Sequence, residues 1–238
     1  MTAGSTLRLS VIIPTLNEEE CIGQVIDDVN ASLQDKGFDY EIMIVDGRST
    51  DRTGDIAREK GAMVVEEPRK RYGRAYKTGF ENARGDIIAT LDGDCTYPTE
   101  SIVPLMEMLD KEDLEFITTD RFGHMEEGAM SNMHKIGNLA LSFTTRLLFG
   151  RKIRDSQSGM WVFRREALSK LNLTNDGMPF SEEIKIEAFR KLRSREVMIA
   201  YRKRVGEVKL SSWRDGWYNF SFLLIKRFRG PKDRSLHS

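Results

Sequence analysis

Cysteine is nearly absent from this sequence. Only Cys21 and Cys95 occur among 238 residues, with no metal-ligand spacing around either. That argues against a disulfide scaffold and fits a reducing compartment. Nowhere do 18 apolar residues run together, so no stretch crosses a bilayer unaided. The first residues lack the basic start and apolar block of a secretory signal, which predicts a cytoplasmic location. Two glycine patterns are missing as well. No Gly-x-Gly-x-x-Gly follows the first apolar stretch, which weakens a dinucleotide-binding reading. No Gly-x-x-x-x-Gly-Lys-Ser/Thr occurs, which argues against a P-loop. There is no internal repeat and no low-complexity linker.

What is present supports a folded core. Hydrophobic residues make up 39%, and 238 residues suffice for one domain or one with a small extension. Lys and Arg (37) balance Asp and Glu (37), but unevenly along the chain. From Arg190 to the end, 14 basic residues face 4 acidic ones, a net of +10; the first 189 carry 23 against 33, a net of −10. Such an end suits an anionic partner (membrane surface, phosphate or nucleic acid) or simply a solvated basic face.

Apolar periodicity predicts β-α-β-α-β-α-β over the first hundred residues, with strands at 9–13, 41–45, 62–65 and 87–91. Asn17 is placed to cap the first helix, with Glu18, Glu19 and Glu20 in its first turn. Cys21, Ile22, Val25, Ile26, Val29 and Leu33 form its inward stripe, and Gly37 ends it. Ser49 or Thr50 starts the second helix, and a basic loop at 68–73 precedes the third. Further on come a helix to about Leu109 and a strand at 115–119 ending at Asp120-Arg121. An amphipathic helix over 131–150, a polar turn at 155–159, a strand at 160–163 and a short helix at 166–171 follow. A helix capped by Ser181 and a strand at 197–201 complete the pattern. Right-handed crossovers between parallel strands are the expected arrangement of such an α/β chain. Residues 1–210 read as one Rossmann-like domain, a central mostly parallel sheet flanked by helices. Residues 211–238 read as an aromatic and basic amphipathic extension. Its Trp213, Trp217, Phe220 and Phe228 beside Lys226, Arg227 and Arg229 suit a bilayer interface, packing on the domain, or self-association.

One stretch organises the rest. The apolar run 87–91 ends abruptly in Asp92-Gly93-Asp94, where an open α/β sheet keeps its ligands. Gly93 is expected to let the backbone turn so that both carboxylates converge. Two hard oxygen donors suit Mg²⁺ or Mn²⁺, which binds one or two carboxylates plus substrate phosphates. A solvated turn is the competing reading. A further acid, Asp46, stands at another strand end on the same edge, an arrangement suited to a nucleotide.

Five segments in order resemble family 2 glycosyltransferases of the GT-A fold: Val11-Ile12-Ile13-Pro14-Thr15-Leu16-Asn17-Glu18, Asp46-Gly47-Arg48-Ser49-Thr50-Asp51, Gly85-Asp86 leading into Asp92-Gly93-Asp94, Asp155-Ser156-Gln157-Ser158-Gly159, and Gly206-Glu207-Val208-Lys209-Leu210. The sequence is most similar to dolichol-phosphate mannose or glucose synthases, particularly those of archaeal protein N-glycosylation. The resemblance implies that Pro14, Thr15, Glu18, Asp46, Asp92, Gly93 and Asp94 hold a sugar nucleotide. It implies a metal on Asp92 and Asp94, with Thr96 where the family often has Gln. Asp94, Arg121, Lys185 and Arg204 take catalytic positions; His134, Asn138, Ser158, Arg202 and Arg204 take positions that grip an acceptor phosphate. Gly47 replaces a second acid of the family, and Val208 its usual serine.

The activity so implied is metal-dependent, inverting transfer of a hexose from GDP-mannose, UDP-glucose or UDP-GlcNAc to dolichyl phosphate, feeding N-glycosylation. A phosphate monoester, with a second pKa of about 6, is already an anionic nucleophile and needs no general base. That suits a chain with only His124, His134 and His237. The expected partners are the nucleotide-sugar, the lipid phosphate and, peripherally, the cytoplasmic face of a membrane, with no nucleic acid. A transferase acting on a hydroxyl would need a base, with Asp155 and Glu182 as candidates. A sugar-nucleotide-binding scaffold without turnover is the third reading.

Overall fold

The computed structural model describes residues 7–69, 71–205 and 212–228. Its strands are β1 Leu7–Thr15, β2 Asp39–Asp46, β3 Met63–Glu66, β4 Ile87–Thr90, β5 Phe116–Met125, β6 Trp161–Arg164 and β7 Ser194–Tyr201. Its α-helices are α1 Ile22–Leu33, α2 Thr53–Glu59, α3 Tyr72–Asn82, α4 Ile102–Lys111, α5 Asn132–Phe149, α6 Phe180–Lys191 and α7 Ser212–Phe228. The strands form one sheet in the order β3-β2-β1-β4-β6-β5-β7. Neighbours run parallel except β6, which is antiparallel to both β4 and β5.

Helices cover both faces of the sheet, which is why its central strands are apolar at almost every position. In β1, Leu9, Val11 and Ile13 face α1 and α4, while Ile12 faces α3 and α6. β4 alternates the same way, with Ile87 and Ala89 on one side and Ile88 on the other. The α1 stripe expected from the sequence is buried from Cys21 to Leu33. On the other face Tyr76, Trp161 and Phe180 pack ring against ring, at centroid distances of 4.8 to 6.1 Å.

Several local expectations give way to longer-range contacts. Asn17 does not cap α1. It takes a left-handed backbone (φ 54°), and its Oδ1 accepts the Thr50 N–H at 2.7 Å. The helix starts only after Cys21, so Glu18, Glu19 and Glu20 precede it; it ends at Leu33, short of Gly37. Neither Ser49 nor Thr50 opens α2: Asp51 Oδ1 accepts from Thr53 N–H and hydroxyl, and the helix begins at Thr53. Ser181 lies inside α6, its hydroxyl donating to the carbonyls of Ser156 and Ser158. The short helix near 166–171 is a 3₁₀ segment, Arg165–Lys170. β5 runs on past Asp120 and Arg121, with an irregular register between Asp120 and His124.

The C-terminal helix is docked on the domain by one side. Leu223 is buried against Leu141 of α5 and Ile186 of α6. Lys226 reaches Glu183 and Glu187 at 3.1 and 3.2 Å, and Asn219 donates to Gln157 Oε1. Its other side remains exposed, as does much of the apolar face of α5. The segment 206–210, one of the five that carry the family resemblance, lies outside the described residues, as does Arg229.

The entrance to β4 is the tightest joint of the sheet. Gly85 N–H donates to Ser10 Oγ, which donates to the buried Glu41, and Glu41 also accepts from Arg84. A Cβ on Gly85 would sit 2.5 Å from the Ser10 backbone nitrogen. Gly85→Ala is therefore expected to cost about 3 kcal/mol, seen as a lower denaturant midpoint. Gly137→Ala, whose Cβ meets nothing within 4 Å, should leave stability unchanged or slightly raised.

Candidate active site

The acids predicted from sequence converge at one edge of the sheet. Thr15 and Asp46 are register partners at the ends of β1 and β2, and the acidic loop leaves β4 beside them. This is the C-terminal edge of parallel strands, where open α/β sheets bind ligands. Gly93 belongs there for a reason other than a sharp turn. Its φ is not positive; Cys95 holds the left-handed position of the loop, at φ 63°. A Cβ on Gly93 would lie 2.9 Å from Thr15 Cγ2, so glycine lets β1 and the loop touch.

Asp94 is buried and fully engaged. Its Oδ1 accepts from Thr96 N–H at 3.2 Å and Thr96 Oγ1 at 2.6 Å. Its Oδ2 pairs with Arg204 Nη1 at 3.1 Å, and Arg204 Nη2 reaches Glu18 Oε1 at 2.9 Å. The buried Thr96 hydroxyl donates to Asp94 and so fixes that carboxylate's orientation, while the lone pairs of its oxygen remain available to a ligand. Asp92 Oδ1 accepts from the Tyr76 hydroxyl at 3.3 Å. Burial, reinforced by the charge of Asp94, pushes the Asp92 carboxyl up to about 7, against the pull of Arg121 and Arg204. Two buried polar atoms at this edge, Thr15 Oγ1 and Arg204 Nε, have no partner among the described residues. In a folded protein such atoms are few and point to a missing ligand or water.

Asp46 supplies the other wall. Its Oδ1 accepts from Ser49 N–H at 3.0 Å and Ser49 Oγ at 2.6 Å, which ties the 46–49 turn. Ser49 Oγ in turn accepts the Asn17 N–H at 2.8 Å, so the loops after β1 and β2 brace one another. Pro14 is half-exposed next to Thr15.

Behind the acids lies a layer of buried charge that sequence reading assigned to substrate. Arg121 forks onto Asp155, Nε to Oδ2 at 2.7 Å and Nη2 to Oδ1 at 2.9 Å, and lies over the Tyr201 ring. Burial opposes the Asp155 charge, but Arg121 overcomes it and holds the carboxyl below the usual range. Lys185 has no exposed surface; its Nζ donates to the Asp155 carbonyl at 2.8 Å, and burial draws its pKa down to about 7. Ser158 is equally buried, its hydroxyl shared with Thr119 at 2.6 Å and Tyr97 at 3.4 Å. Lys185 and Ser158 thus brace the 155–159 turn from within. Arg121 touches the site through its field on Asp92. Glu182 is buried too, and burial keeps its carboxyl well above the ordinary range. Neither Asp155 nor Glu182, the candidate bases, has exposed surface.

The remaining expected contacts scatter. Arg202 pairs with Glu100 at the surface, while its N–H binds the Thr96 carbonyl. His134 and Asn138 ride half-exposed on α5, with Asn138 donating to Met130 Sδ. Tyr72 and Tyr76 escaped the sequence reading, which gave Gly159 no role of its own. A Cβ on Gly159 would meet the Tyr72 hydroxyl at 3.0 Å and Asp92 Oδ1 at 3.2 Å, so this glycine admits the tyrosines to the acid. The spacing of Tyr72 and Tyr76, one helical turn apart, was the available signal.

Does this donor set fit a metal? Among the described residues no group of three or more His, Cys, Asp or Glu could hold one. Two carboxylates that repel each other, beside the unpartnered Thr15 hydroxyl, fit a hard dication that completes its shell from substrate phosphates.

Comparison with known proteins agrees with this geometry. The model of glycosyl transferase family 2 matches residues 10–171. The low-salt glycan biosynthesis hexosyltransferase Agl6 of Haloferax volcanii is 40% identical over 220 residues, 91% of this chain and 53% of that protein. The chain thus spans about half the length of that relative. A dolichyl-phosphate hexose transferase of the same organism is 32% identical over 208 residues, 87% and 89% of the two chains. Glucosyl-3-phosphoglycerate synthase from Mycobacterium tuberculosis, crystallised with Mn²⁺, UDP and glucosyl-3-phosphoglycerate, superposes with a TM-score of 0.75. It is 24% identical, and the match covers 97% of this chain and 82% of that one. The architecture is the GT-A fold. The chain belongs to glycosyl transferase family 2 and is a glycosyltransferase.

Proposed function

We propose that this enzyme transfers a hexose, with inversion, from a nucleoside-diphosphate sugar to a dolichyl or other polyprenyl phosphate, in the service of protein N-glycosylation. The observation that carries the reading is the meeting of Asp92, Asp94, Glu18 and Arg204 at the sheet edge, with Thr15 Oγ1 and Arg204 Nε unpartnered among the described residues. The names of the relatives support the acceptor class. So does the burial of Asp155 and Glu182, since a phosphate acceptor requires no base and a hydroxyl would.

Pro14, Thr15, Glu18 and Asp46 form the nucleoside side of the site, and the Thr15 hydroxyl is free to bond donor oxygens. Asp92 and Asp94 would hold Mg²⁺ or Mn²⁺, which would supply positive charge for the departing diphosphate. An acceptor phosphate oxygen forms a bond to the anomeric carbon as the bond to the donor phosphate breaks, and the leaving nucleoside diphosphate gains the negative charge. Arg204, which already pairs with Asp94, provides guanidinium charge at that point. Arg121, pinned by Asp155, keeps a second cation within the field of Asp92. His134 and Asn138 on α5, with Arg202, are the acceptor-side candidates.

The lipid chain calls for a membrane, met peripherally at the cytoplasmic face. Among the described residues no helix is long and apolar enough to cross one. Phe143 and Leu147 of α5 are 59% and 72% exposed, Trp217 and Phe228 of α7 71% and 74%. Exposed Arg151, Arg190 and Arg227 lie alongside. Apolar residues fringed by bases suit an anionic bilayer surface.

Asp94→Ala should lower transfer from sugar nucleotides to polyprenyl phosphate by at least about 10², read as lipid-extractable label, with the circular dichroism spectrum of the folded protein retained. Full retention of activity would refute the metal role. For Asp92 the sign follows from its raised pKa. The folded chain holds that proton after the unfolded chain has lost it, so stability contributed by this group falls as pH rises from near 4 to about 7. Denaturation of metal-free protein across pH 4–8 should show this slope, and Asp92→Asn should remove it. Phe143→Asp with Leu147→Asp should weaken partition onto anionic vesicles roughly tenfold or more; equal sedimentation with the vesicles would count against this membrane face.

A further inference from the structure

The two cysteines of this chain, 74 positions apart, meet beneath the acidic loop. Cys21 is the buried residue that precedes α1; Cys95 follows Asp94 and is half-exposed. Cys95 Sγ lies 3.9 Å from the Cys21 carbonyl oxygen, so the two cysteines are in direct contact. Cys21 Sγ also stands 3.5 Å from Glu18 Oε2 and 3.7 Å from the carbonyl of Val205, the residue after Arg204. The pair therefore sits where the α1 entry, the acidic loop and the Arg204 segment touch. Cys95 holds a left-handed backbone (φ 63°), which a side chain rarely adopts without a reason. Sugar transfer uses no thiol, and no third soft ligand joins them in a metal-binding group among the described residues.

We propose that Cys21 and Cys95 are a redox modification site: they close a reversible intramolecular disulfide that ties the acidic loop to the start of α1. The oxidant is a low-molecular-weight disulfide. Cys95, the exposed member, loses its proton, and its thiolate attacks one sulfur of the oxidant, forming a mixed disulfide and releasing one thiolate. Cys21 then loses its proton and attacks the Cys95 sulfur, forming the internal bond and releasing the second thiolate. The two protons go to the two released thiolates, so two protein thiols and one disulfide become one protein disulfide and two small thiols. Both thiols are free in the structure, and forming a sulfur–sulfur bond of roughly 2 Å brings them together. Closure draws Cys95 toward α1 and carries with it Asp94 and Thr96. That consequence rests on the reading of Asp94 as a ligand for metal and diphosphate; the disulfide itself does not.

The test uses the full chain incubated with oxidised glutathione. The expected product is a monomer lighter by two hydrogen atoms, with no free thiol, no glutathione adduct, and full reversal by dithiothreitol. Amide exchange across residues 93–97 should be slower in the oxidised form than in the reduced one. Cys21→Ser should instead stop at a glutathione adduct on Cys95, which identifies the entry thiol. Persistence of both thiols, an adduct on wild-type Cys95, a linked dimer, or a disulfide with unaltered exchange would each overturn the proposal. Manganese titration of the two forms reads the consequence separately, with affinity roughly tenfold weaker after oxidation. Should the reduced chain bind no manganese, the metal reading fails, while mass and exchange still decide the thiol pair.

Discussion

Two carboxylates placed one residue apart, at the dry edge of a sheet, repel each other. Tolerating that repulsion is the constraint around which this molecule is arranged. Arg204 answers one acid directly, pairing with Asp94 and Glu18 at once. Arg121 answers the other from behind, held rigid by Asp155. Tyr76 adds a hydroxyl proton to Asp92. Burial first, and the charge of Asp94 second, still keep the Asp92 carboxyl above its ordinary range. A carboxylate pair so perturbed, at a sheet edge, has the character of a functional site.

The second layer explains why so many charged residues are buried. Lys185, Asp155, Arg121 and Glu182 lie within one sealed cluster bridged by Gln157 and the 155–159 turn. Such a network is costly unless every member is satisfied, and nearly every member is. Its return is orientation. A guanidinium forked onto a buried carboxylate cannot swing away, so its field on the active edge is fixed before substrate arrives.

Much of this could be read in the sequence, for identifiable reasons. β1 and β4 announce themselves because both faces are covered, so apolar residues run without interruption into Pro14 and Asp92. The convergence of Asp46, Asp92 and Asp94 follows from parallel strands ending on one edge. What failed was whatever depended on contacts distant in sequence. Asn17 has the composition of a helix cap, yet the loop after β2 claims it through Thr50. No local signal says that α6 closes over Ser158 and Lys185 and bonds their polar groups to Thr119 and to the backbone. Nothing local says that Tyr76 reaches Asp92, or that Cys21 lies under Cys95. The antiparallel course of β6 was likewise invisible in a four-residue strand.

The way α7 is seated has its own implication for how this enzyme can be shortened. Glu183 and Glu187 face inward on α6, and both receive Lys226 from α7. Trimming the helix would strip two sequestered acids of a counterion and uncap Leu223's socket between Leu141 and Ile186. A truncated protein that no longer sediments with lipid would then have lost part of its interior as well as its surface. Outward-facing point changes on α5 separate adhesion from integrity; amputation does not.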